Sequence, residues 1–153
     1  MTGVQTCALP ICEHYGEKFA YLRGRMMELL AQESELQEIV KLIGADILPE
    51  DQKCIINTAR VTRLGFLQQN AYHPVDTYVP IEKQIGMMAL IIQLHDGALR
   101  VAGAGIPLSQ LTKSGIFERL IRIKYDVPND QLSLLEDYAR EIDELVEQVL
   151  ANS

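Results

Sequence analysis

Residues 81–102 constrain the fold of this chain more than any other segment, because apolar side chains would cover most of the circumference of a helix formed there. One apolar stripe recurs at steps of three and four residues, and a second stripe lies beside it. The first consists of Ile81, Ile85, Met88, Ile92, His95, Leu99 and Ala102, and the second of Met87, Ile91, Leu94 and Ala98. Such a helix is stable when other elements cover it on two sides. We therefore predict a buried helix here.

Two helices are predicted before this segment. Apolar residues at helical spacing indicate an amphipathic helix over residues 19–43, and Gly44 stands where a glycine would end it. Pro49 suits the first turn of a second helix, which we expect to run to about Gln69. Gly65 should weaken that helix by ~1 kcal/mol relative to alanine.

Glycines, prolines and capping residues divide the rest of the chain. Gly103 and Gly105 should end the buried helix, Ser114 should cap a fourth helix over residues 115–124, and Asp130 should cap the last one. The last helix has an acidic face that we interpret as solvated, formed by Glu136, Asp137, Glu141, Asp143, Glu144 and Glu147. No strand pattern of useful length is present. The predicted fold is an all-α bundle of five or six helices.

The first dozen residues look foreign to the rest of the chain. The run from Met1 to Ile11 matches the conceptual translation of a common short-read sequencing adapter, with the Cys12 codon at the junction. A signal peptide is the alternative, but the segment lacks a basic start and its apolar stretch is too short. We therefore expect residues 1–12 to be an artefactual, disordered tail, and residues 13–153 to form one helical domain cut from a longer protein.

Composition limits the partners of the chain. A net charge of −7 and a pI near 4.9 argue against non-specific binding to nucleic acid or to an anionic membrane. A hydrophobic content of 48% excludes wholesale disorder. We expect no apolar run of the ~20 residues that span a bilayer. Outside the tail Cys54 is the single cysteine, so a disulfide framework is excluded and a cytoplasmic location is the default.

The sequence contains no pattern for phosphate cleavage or metal binding. A phosphate loop of the form G-x-x-x-x-G-K-S/T is absent. His14, His73 and His95 are too scattered for a metal site, so no catalytic or metal-binding residue is predicted. His95 lies on the apolar stripe and is interpreted as a core residue. Cys54 is interpreted as a packed thiol rather than a reactive one.

The most specific motif lies at the end of the second predicted helix. Residues 66–73 read F-L-Q-Q-N-A-Y-H, and residues 36–44 upstream read L-Q-E-I-V-K-L-I-G. Both runs resemble the C-terminal region of the catalytic A subunit of the V/A-type rotary ATPases. The resemblance implies that one aromatic ring packs on the adenine of ATP or ADP while small and amide residues shape the rim. The residues concerned are Gln69, Asn70, Ala71 and Tyr72.

An acidic segment between the first two helices is the second candidate site. Its residues are Asp46, Ile47, Leu48, Glu50 and Asp51. Taken alone, the pattern indicates an ordinary loop whose acids favour a helix N-terminus. The resemblance implies instead a lever that contacts the central stalk of a rotary motor, with the two aliphatic residues exposed inside an acidic rim.

The resemblance also implies the parent enzyme. It would couple ATP hydrolysis or synthesis to proton or sodium transport, as a hetero-hexamer of A and B subunits at the inner face of the cell membrane. Mg²⁺ and the phosphate-cleaving residues would lie outside this chain, so the chain alone should show no ATPase activity. The sequence departs from the family at Gly65 and Pro74, where acids are common.

Two alternatives remain open at this point. A helical interaction module that is not part of an enzyme would explain the periodicity and the acidity, but not the Q-Q-N-A run at residues 68–71. The second alternative is the C-terminal domain of the F-type beta subunit. That family shows F-L-S-Q-P-F at the corresponding place.

Overall fold

The computed structural model describes residues 10–67 and 80–152, and these residues are helical throughout apart from short connections. They contain no strand, which confirms the prediction of an all-α bundle. The elements are α1 (Pro10–Ile43), a 3₁₀ turn (Ala45–Ile47), α2 (Glu50–Val61), a π-helix (Thr62–Leu67), α3 (Ile81–Gly103), α4 (Ser109–Thr112), α5 (Ile116–Ile121), α6 (Ile123–Asp126) and α7 (Leu134–Ala151).

Helix α3 is the centre of the bundle. It packs against α1, α2 and α7. Both predicted stripes are buried over most of their length, including Ile85, Met87, Met88, Ile91, Ile92, Leu94, His95 and Ala98. Burial of a large aliphatic side chain contributes about 1.5–3 kcal/mol relative to exposure, so this helix supplies much of the stabilisation. The predicted coverage on two sides is confirmed.

Helix α3 also has the dimensions of a membrane span. Within the described part of the chain it is the one helix long and apolar enough, with a mean hydropathy of 1.3 over the 18-residue window. The prediction that the chain has no apolar segment long enough to span a bilayer was therefore wrong, as judged by length and composition alone. The apolar character has another explanation, because 61% of the window is buried inside the bundle.

The predicted helix ends are correct where a glycine marks them. Helix α1 ends at Ile43, and Gly44 follows with φ 88° while its N–H bonds the Val40 carbonyl at 2.8 Å. Helix α3 ends at Gly103, and Gly105 has φ 79°. Residues 1–9 of the tail predicted over residues 1–12 lie outside the described residues. Residues 10–12 form the start of α1, so the predicted disorder does not hold for them, and the artefactual origin of the tail stays a prediction.

Other predicted boundaries differ from the structure. The second helix changes to π-helical geometry after Val61, and the fourth is divided into α5 and α6 at Arg122. Asp130 does not cap the last helix, because α7 begins at Leu134 with Ser133 in the capping position. The extended link predicted between Pro74 and Pro80 falls largely outside the described residues.

The acidic face of α7 is solvated, as predicted, with one exception. Five of its six acids are exposed, whereas Glu141 is half-buried and accepts a bond from Arg119 on α5. Glu147 pairs with Arg100 of α3 at 2.8 Å. These exposed pairs contribute about 0–1 kcal/mol each, so they supplement the apolar contacts of α7 rather than replace them.

Gly65 occupies a point of close backbone approach. A Cβ at this position would lie 3.0 Å from the Ile121 Cα and 3.1 Å from the Leu120 carbonyl oxygen. The π-helix therefore passes directly against the end of α5. This contact gives a physical reason for the glycine, which the sequence alone presents only as a weak point in a helix.

Three buried polar side chains form a hydrogen-bonded chain along α2 and its π-helical extension, and one of them, His95, reaches it from α3. The hydroxyl of Thr58 donates to the Cys54 carbonyl at 2.8 Å, and that of Thr62 donates to the Thr58 carbonyl at 3.0 Å. His95 Nδ1 lies 3.3 Å from Thr58 Oγ1. Because the Thr58 hydrogen is already donated, we assign Nδ1–H as the donor to Thr58. The prediction that His95 is a satisfied core residue is confirmed.

The Cys54 thiol is also a core group. It is fully buried and donates to the Ala98 carbonyl at 3.4 Å. Burial, with smaller contributions from Glu50 and Asp51, raises the pKa of Cys54 to about 12. A thiol with so high a pKa is protonated at neutral pH and is a poor nucleophile. The interpretation of Cys54 as a packed thiol is confirmed.

We expect Gly65→Ala to lower the free energy of unfolding by about 1–3 kcal/mol, because the new methyl group meets backbone atoms that cannot rotate away. Gly24→Ala in α1 is the matched control, since nothing lies within 4 Å of its Cβ position. The control should stabilise the chain by about 0.5–1 kcal/mol through helix propensity. Urea denaturation of both variants measures the difference. Equal stability of the two variants would show that the close approach is not constraining.

We expect the stability of the chain to fall as the pH drops below about 6.5. Burial lowers the pKa of His95 in the folded state, against smaller opposite effects of nearby charges. The stability that a neutral His95 contributes is therefore complete above the pKa of histidine in the unfolded chain. It is lost as the pH falls from that value towards the lowered pKa of the folded state. In His95→Leu, the free energy of unfolding should fall less between pH 7 and pH 5. Identical pH slopes for both proteins would contradict this assignment.

Candidate functional site

The predicted nucleotide-contact residues Gln69, Asn70, Ala71 and Tyr72 lie outside the described residues. The structure instead describes the elements on both sides of them. The π-helix ends at Leu67, and α3 begins at Ile81. Both elements belong to the same bundle, so residues 68–79 connect two elements that are held together independently of them.

Two ionic contacts hold the elements that precede residues 68–79 in the bundle. Arg63 in the π-helix donates to Glu33 on α1 at 2.6 Å, and the Glu33 side chain is buried. Arg60 on α2 forms a two-pronged contact with Glu118 on α5 at 2.8 and 3.2 Å. The Arg60 guanidinium lowers the pKa of Glu118. The residues before the 68–79 segment are thus tied to two different helices.

A buried lysine holds the start of α3, the element that follows residues 68–79. Lys83 is 0% exposed, and its ammonium donates to the Lys124 and Val127 carbonyls at 2.7 Å each. It also donates to Asn129 Oδ1 at 3.0 Å. Sequence reasoning missed this group, because helical spacing places Lys83 beside the apolar stripe but identifies no acceptor more than forty residues away.

We call the acidic segment from Asp46 to Asp51, between α1 and α2, the tip. It differs from its prediction in one residue. Ile47 is 68% exposed, as expected, but Leu48 is only 5% exposed. The prediction of an exposed Leu48 was wrong. After the 3₁₀ turn the backbone becomes extended at Leu48, and its side chain lines an inner groove with Ile56 and Leu108. The apolar pair of the sequence is therefore divided between surface and interior.

Glu50 also faces inward in part. One carboxylate oxygen accepts the Leu108 N–H at 2.7 Å, and the other accepts the Lys53 ammonium at 3.0 Å. These two bonds, the Leu108 one first, lower the pKa of Glu50. Asp46 and Asp51 are exposed. Glu50 consequently braces the tip against the loop before α4, whereas the two aspartates are free to meet a partner.

The exposed apolar surface at this end is larger than the sequence indicated. Besides Ile47 it includes residues of the last turns of α1, of which Leu42 is 84% exposed. Ile39 and Ile43 continue the helical apolar spacing of α1, and they are 40% and 48% exposed. We call this surface the tip patch; it consists of Ile39, Leu42, Ile43 and Ile47.

No cluster of three or more metal-ligating side chains occurs in residues 10–67 and 80–152. At the end of the bundle that carries the tip patch, the inner groove is lined by both apolar and polar side chains.

Comparisons with known proteins give the same family throughout. Residues 10–110 match the model of the C-terminal domain of V and A type ATP synthase. The chain is 44% identical to V-type ATP synthase alpha chain 2 of Clostridium tetani, over 89% of this chain and 24% of the relative. It is 38% identical to the V-type ATP synthase alpha chain of Halothermothrix orenii, over 92% of this chain and 24% of the relative.

An archaeal relative extends the match. The A subunit of the A-type ATP synthase of Methanopyrus kandleri is 38% identical, over 90% of this chain and 23% of the relative. The chain thus spans about a quarter of the length of these relatives. A V/A-type match of this extent decides against the F-type alternative and against an unrelated interaction module. The chain belongs to the family of C-terminal domains of V- and A-type ATP synthases.

Proposed function

We propose that this chain is the C-terminal helical part of a catalytic A subunit, where it contacts the adenine of bound nucleotide and passes motion to a central stalk. One observation carries the proposal. The residues that match the family model, 10–110, include both the 69–72 segment and the exposed tip patch. A single helical bundle thus joins a candidate ligand contact to a candidate partner contact.

The proposed parent enzyme couples ATP hydrolysis or synthesis to proton or sodium transport. It would assemble from A and B subunits as a hetero-hexamer on the cytoplasmic face of the cell membrane, attached through other subunits. ATP or ADP would be bound with Mg²⁺ held by residues outside this chain. The family model and the names of the relatives, which are alpha chains and A subunits of ATP synthases, support this assignment.

The fixed ends of the 68–79 segment support a role for Tyr72. The segment begins after the π-helix, which Arg63 ties to Glu33. It ends before α3, which Lys83 ties to α6 and to Val127 directly after it. Fixed ends lower the conformational entropy that a ligand contact within a segment costs. Stacking of an aromatic ring on a base contributes about 1–3 kcal/mol and requires no base-specific hydrogen bond.

The tip supports a role as a lever. Ile47 and Leu42 project from the end of the bundle, while Leu48 is buried behind them. The Glu50 carboxylate connects the same loop to Leu108. A force on the tip patch is therefore passed to the bundle through packed and hydrogen-bonded groups rather than through a free loop.

We expect Tyr72→Ala to raise the Kd for ATP about ten- to a hundredfold in the full-length protein within its assembled complex, because the stacking surface is lost. Tyr72→Phe should leave the Kd nearly unchanged. Tyr21→Ala is the control, since Tyr21 is an exposed tyrosine on α1. Equilibrium binding of a fluorescent ATP analogue measures all three variants. Unchanged affinity in Tyr72→Ala would refute the adenine contact.

We expect the double variant Leu42→Ser/Ile47→Ser to lower the torque of the assembled motor while ATP affinity stays at the wild-type level. Both side chains are exposed, so the melting temperature of the chain should change little. Leu48→Ala is the matched control, and as a buried residue it should cost about 2–5 kcal/mol of stability. Single-molecule rotation under load and thermal unfolding measure the two effects. Unchanged torque would refute the lever contact.

A further inference from the structure

We infer that Glu50 is a positioning residue of the tip, whose bond to the Leu108 N–H fixes the direction in which Ile47 is presented to a partner. This role rests on the lever contact proposed above, and it adds which group sets the geometry of that contact. Glu50 acts through the length of its side chain, and its charge does not meet the stalk.

The Glu50 carboxylate makes one contact along its own helix and one across the bundle. One oxygen accepts the Leu108 N–H at 2.7 Å, a bond between residues 58 positions apart. The other accepts the Lys53 ammonium at 3.0 Å, from three residues further along α2. Hydrogen bonds to an ionised carboxylate are shorter and roughly twice as strong as neutral ones. Lys53 thus orients the carboxylate, whose other oxygen ties the start of α2 to the start of α4.

Leu108 is a firm attachment point. Its side chain is 3% exposed, and its carbonyl accepts the N–H groups of Leu111 and Thr112 at 2.9 and 3.0 Å. It therefore belongs to the first turn of α4, where backbone N–H groups lack acceptors within the helix. Leu111 in the same turn is fully buried. The bond from Glu50 is consequently a bond to a packed part of the bundle.

Non-helical backbone flanks the exposed part of the tip on both sides. Gly44 has φ 88° and ψ 155°, and the chain is extended at Leu48, with the 3₁₀ turn Ala45–Ile47 between them. A few residues of this kind can absorb a rotation. The inner groove beside them has a volume of about 460 Å³, which leaves space for the tip to turn. Side-chain contacts therefore set the direction of the tip.

Two side chains hold the tip inward, and they differ in what they fix. Leu48 is buried in the groove, and apolar burial is non-directional. The Glu50 bond is directional, because a hydrogen bond weakens steeply as it departs from a linear arrangement. Ile47 is the exposed neighbour of Leu48 and lies three residues before Glu50. The Glu50 bond thus determines an orientation that the burial of Leu48 alone leaves open.

A second role for Glu50 makes the opposite prediction. As part of an acidic rim it would attract a basic partner through its charge, although its side chain is only 34% exposed. Glu50→Asp keeps the charge but shortens the side chain by one carbon. Glu50→Gln keeps the length and one oxygen but loses the charge. The two variants therefore separate positioning from attraction.

The test measures torque and amide hydrogen exchange in the full-length protein within its assembled complex. We expect Glu50→Asp to speed the exchange of residues 45–48 and of Leu108 about ten- to a hundredfold, since a hydrogen bond to a charged group contributes roughly this factor. Single-molecule rotation under load should show a torque lowered towards that of Leu42→Ser/Ile47→Ser. Glu50→Gln should stay close to the wild type in both measurements.

Asp137→Ala is the control variant. Like Glu50, Asp137 lies in the first turn of its helix and pairs with a cation three residues ahead, Arg140. That hydrogen bond stays within α7. The variant should leave the torque and the exchange of residues 45–48 unchanged.

A combined variant tests whether Glu50 acts through the tip patch. In the Leu42→Ser/Ile47→Ser background, Glu50→Asp should lower the torque no further, because the side chains that Glu50 positions are then absent. Additive losses of torque would show that Glu50 acts independently of the tip patch and would overturn the inference.

The outcomes separate the role of Glu50 from the proposed function. If Leu42→Ser/Ile47→Ser leaves the torque unchanged, the lever contact fails and the role of Glu50 falls with it. If that variant lowers the torque but Glu50→Asp does not, or if Glu50→Gln lowers it as much as Glu50→Asp, the inference is wrong while the lever stands. If Glu50→Asp does not assemble, Lys53→Met removes the group that orients the carboxylate. Faster exchange and lower torque, both to a smaller extent, are then expected, and wild-type values of both would overturn the inference.

Discussion

The burial of α3 against α1, α2 and α7 is the interaction on which the rest of the structure depends. Lys83 holds the first turn of α3 to α6, and the contact of His95 with Thr58 holds the middle of α3 to α2. Because the same helix touches the three other long helices, a displacement at either end of the bundle must be accommodated around α3. The tip patch and the described ends of the 68–79 segment therefore belong to one packed core.

Glycines let neighbouring elements approach closely in that core. Gly65 lies against the Ile121 backbone, Gly86 against the Leu135 side chain and Gly97 against the Val146 side chain, each with less room than a Cβ requires. Interiors packed at this density transmit strain instead of absorbing it. Under the proposed function, this packing would pass a force from the tip patch to the described ends of the 68–79 segment. The inward bonds of Glu50 and the burial of Leu48 connect the tip to the same core.

Periodicity was sufficient to predict α1, α3 and α7, because their apolar stripes are local properties of the sequence. It failed where the outcome depends on residues distant in sequence. Leu48 is buried by a groove that includes Leu108, and Lys83 finds its acceptors 41 and 44 residues further along. The close contact of Gly65 with the end of α5 likewise joins residues more than fifty positions apart. The family was predicted from the motif at residues 66–73, but the role of residues 69–72 stays a prediction because they lie outside the described residues.

The proposed function requires that one bundle contacts the adenine through Tyr72 and meets the stalk at the tip patch. A cryo-electron microscopy structure of the assembled complex with bound ATP would decide both points at once. We expect the Tyr72 ring to lie within ~4 Å of the adenine face in at least one copy of the chain. We also expect Leu42 and Ile47 to contact the stalk in at least one copy. A Tyr72 ring packed on the bundle away from the base, with the tip patch in solvent in every copy, would refute the proposed function.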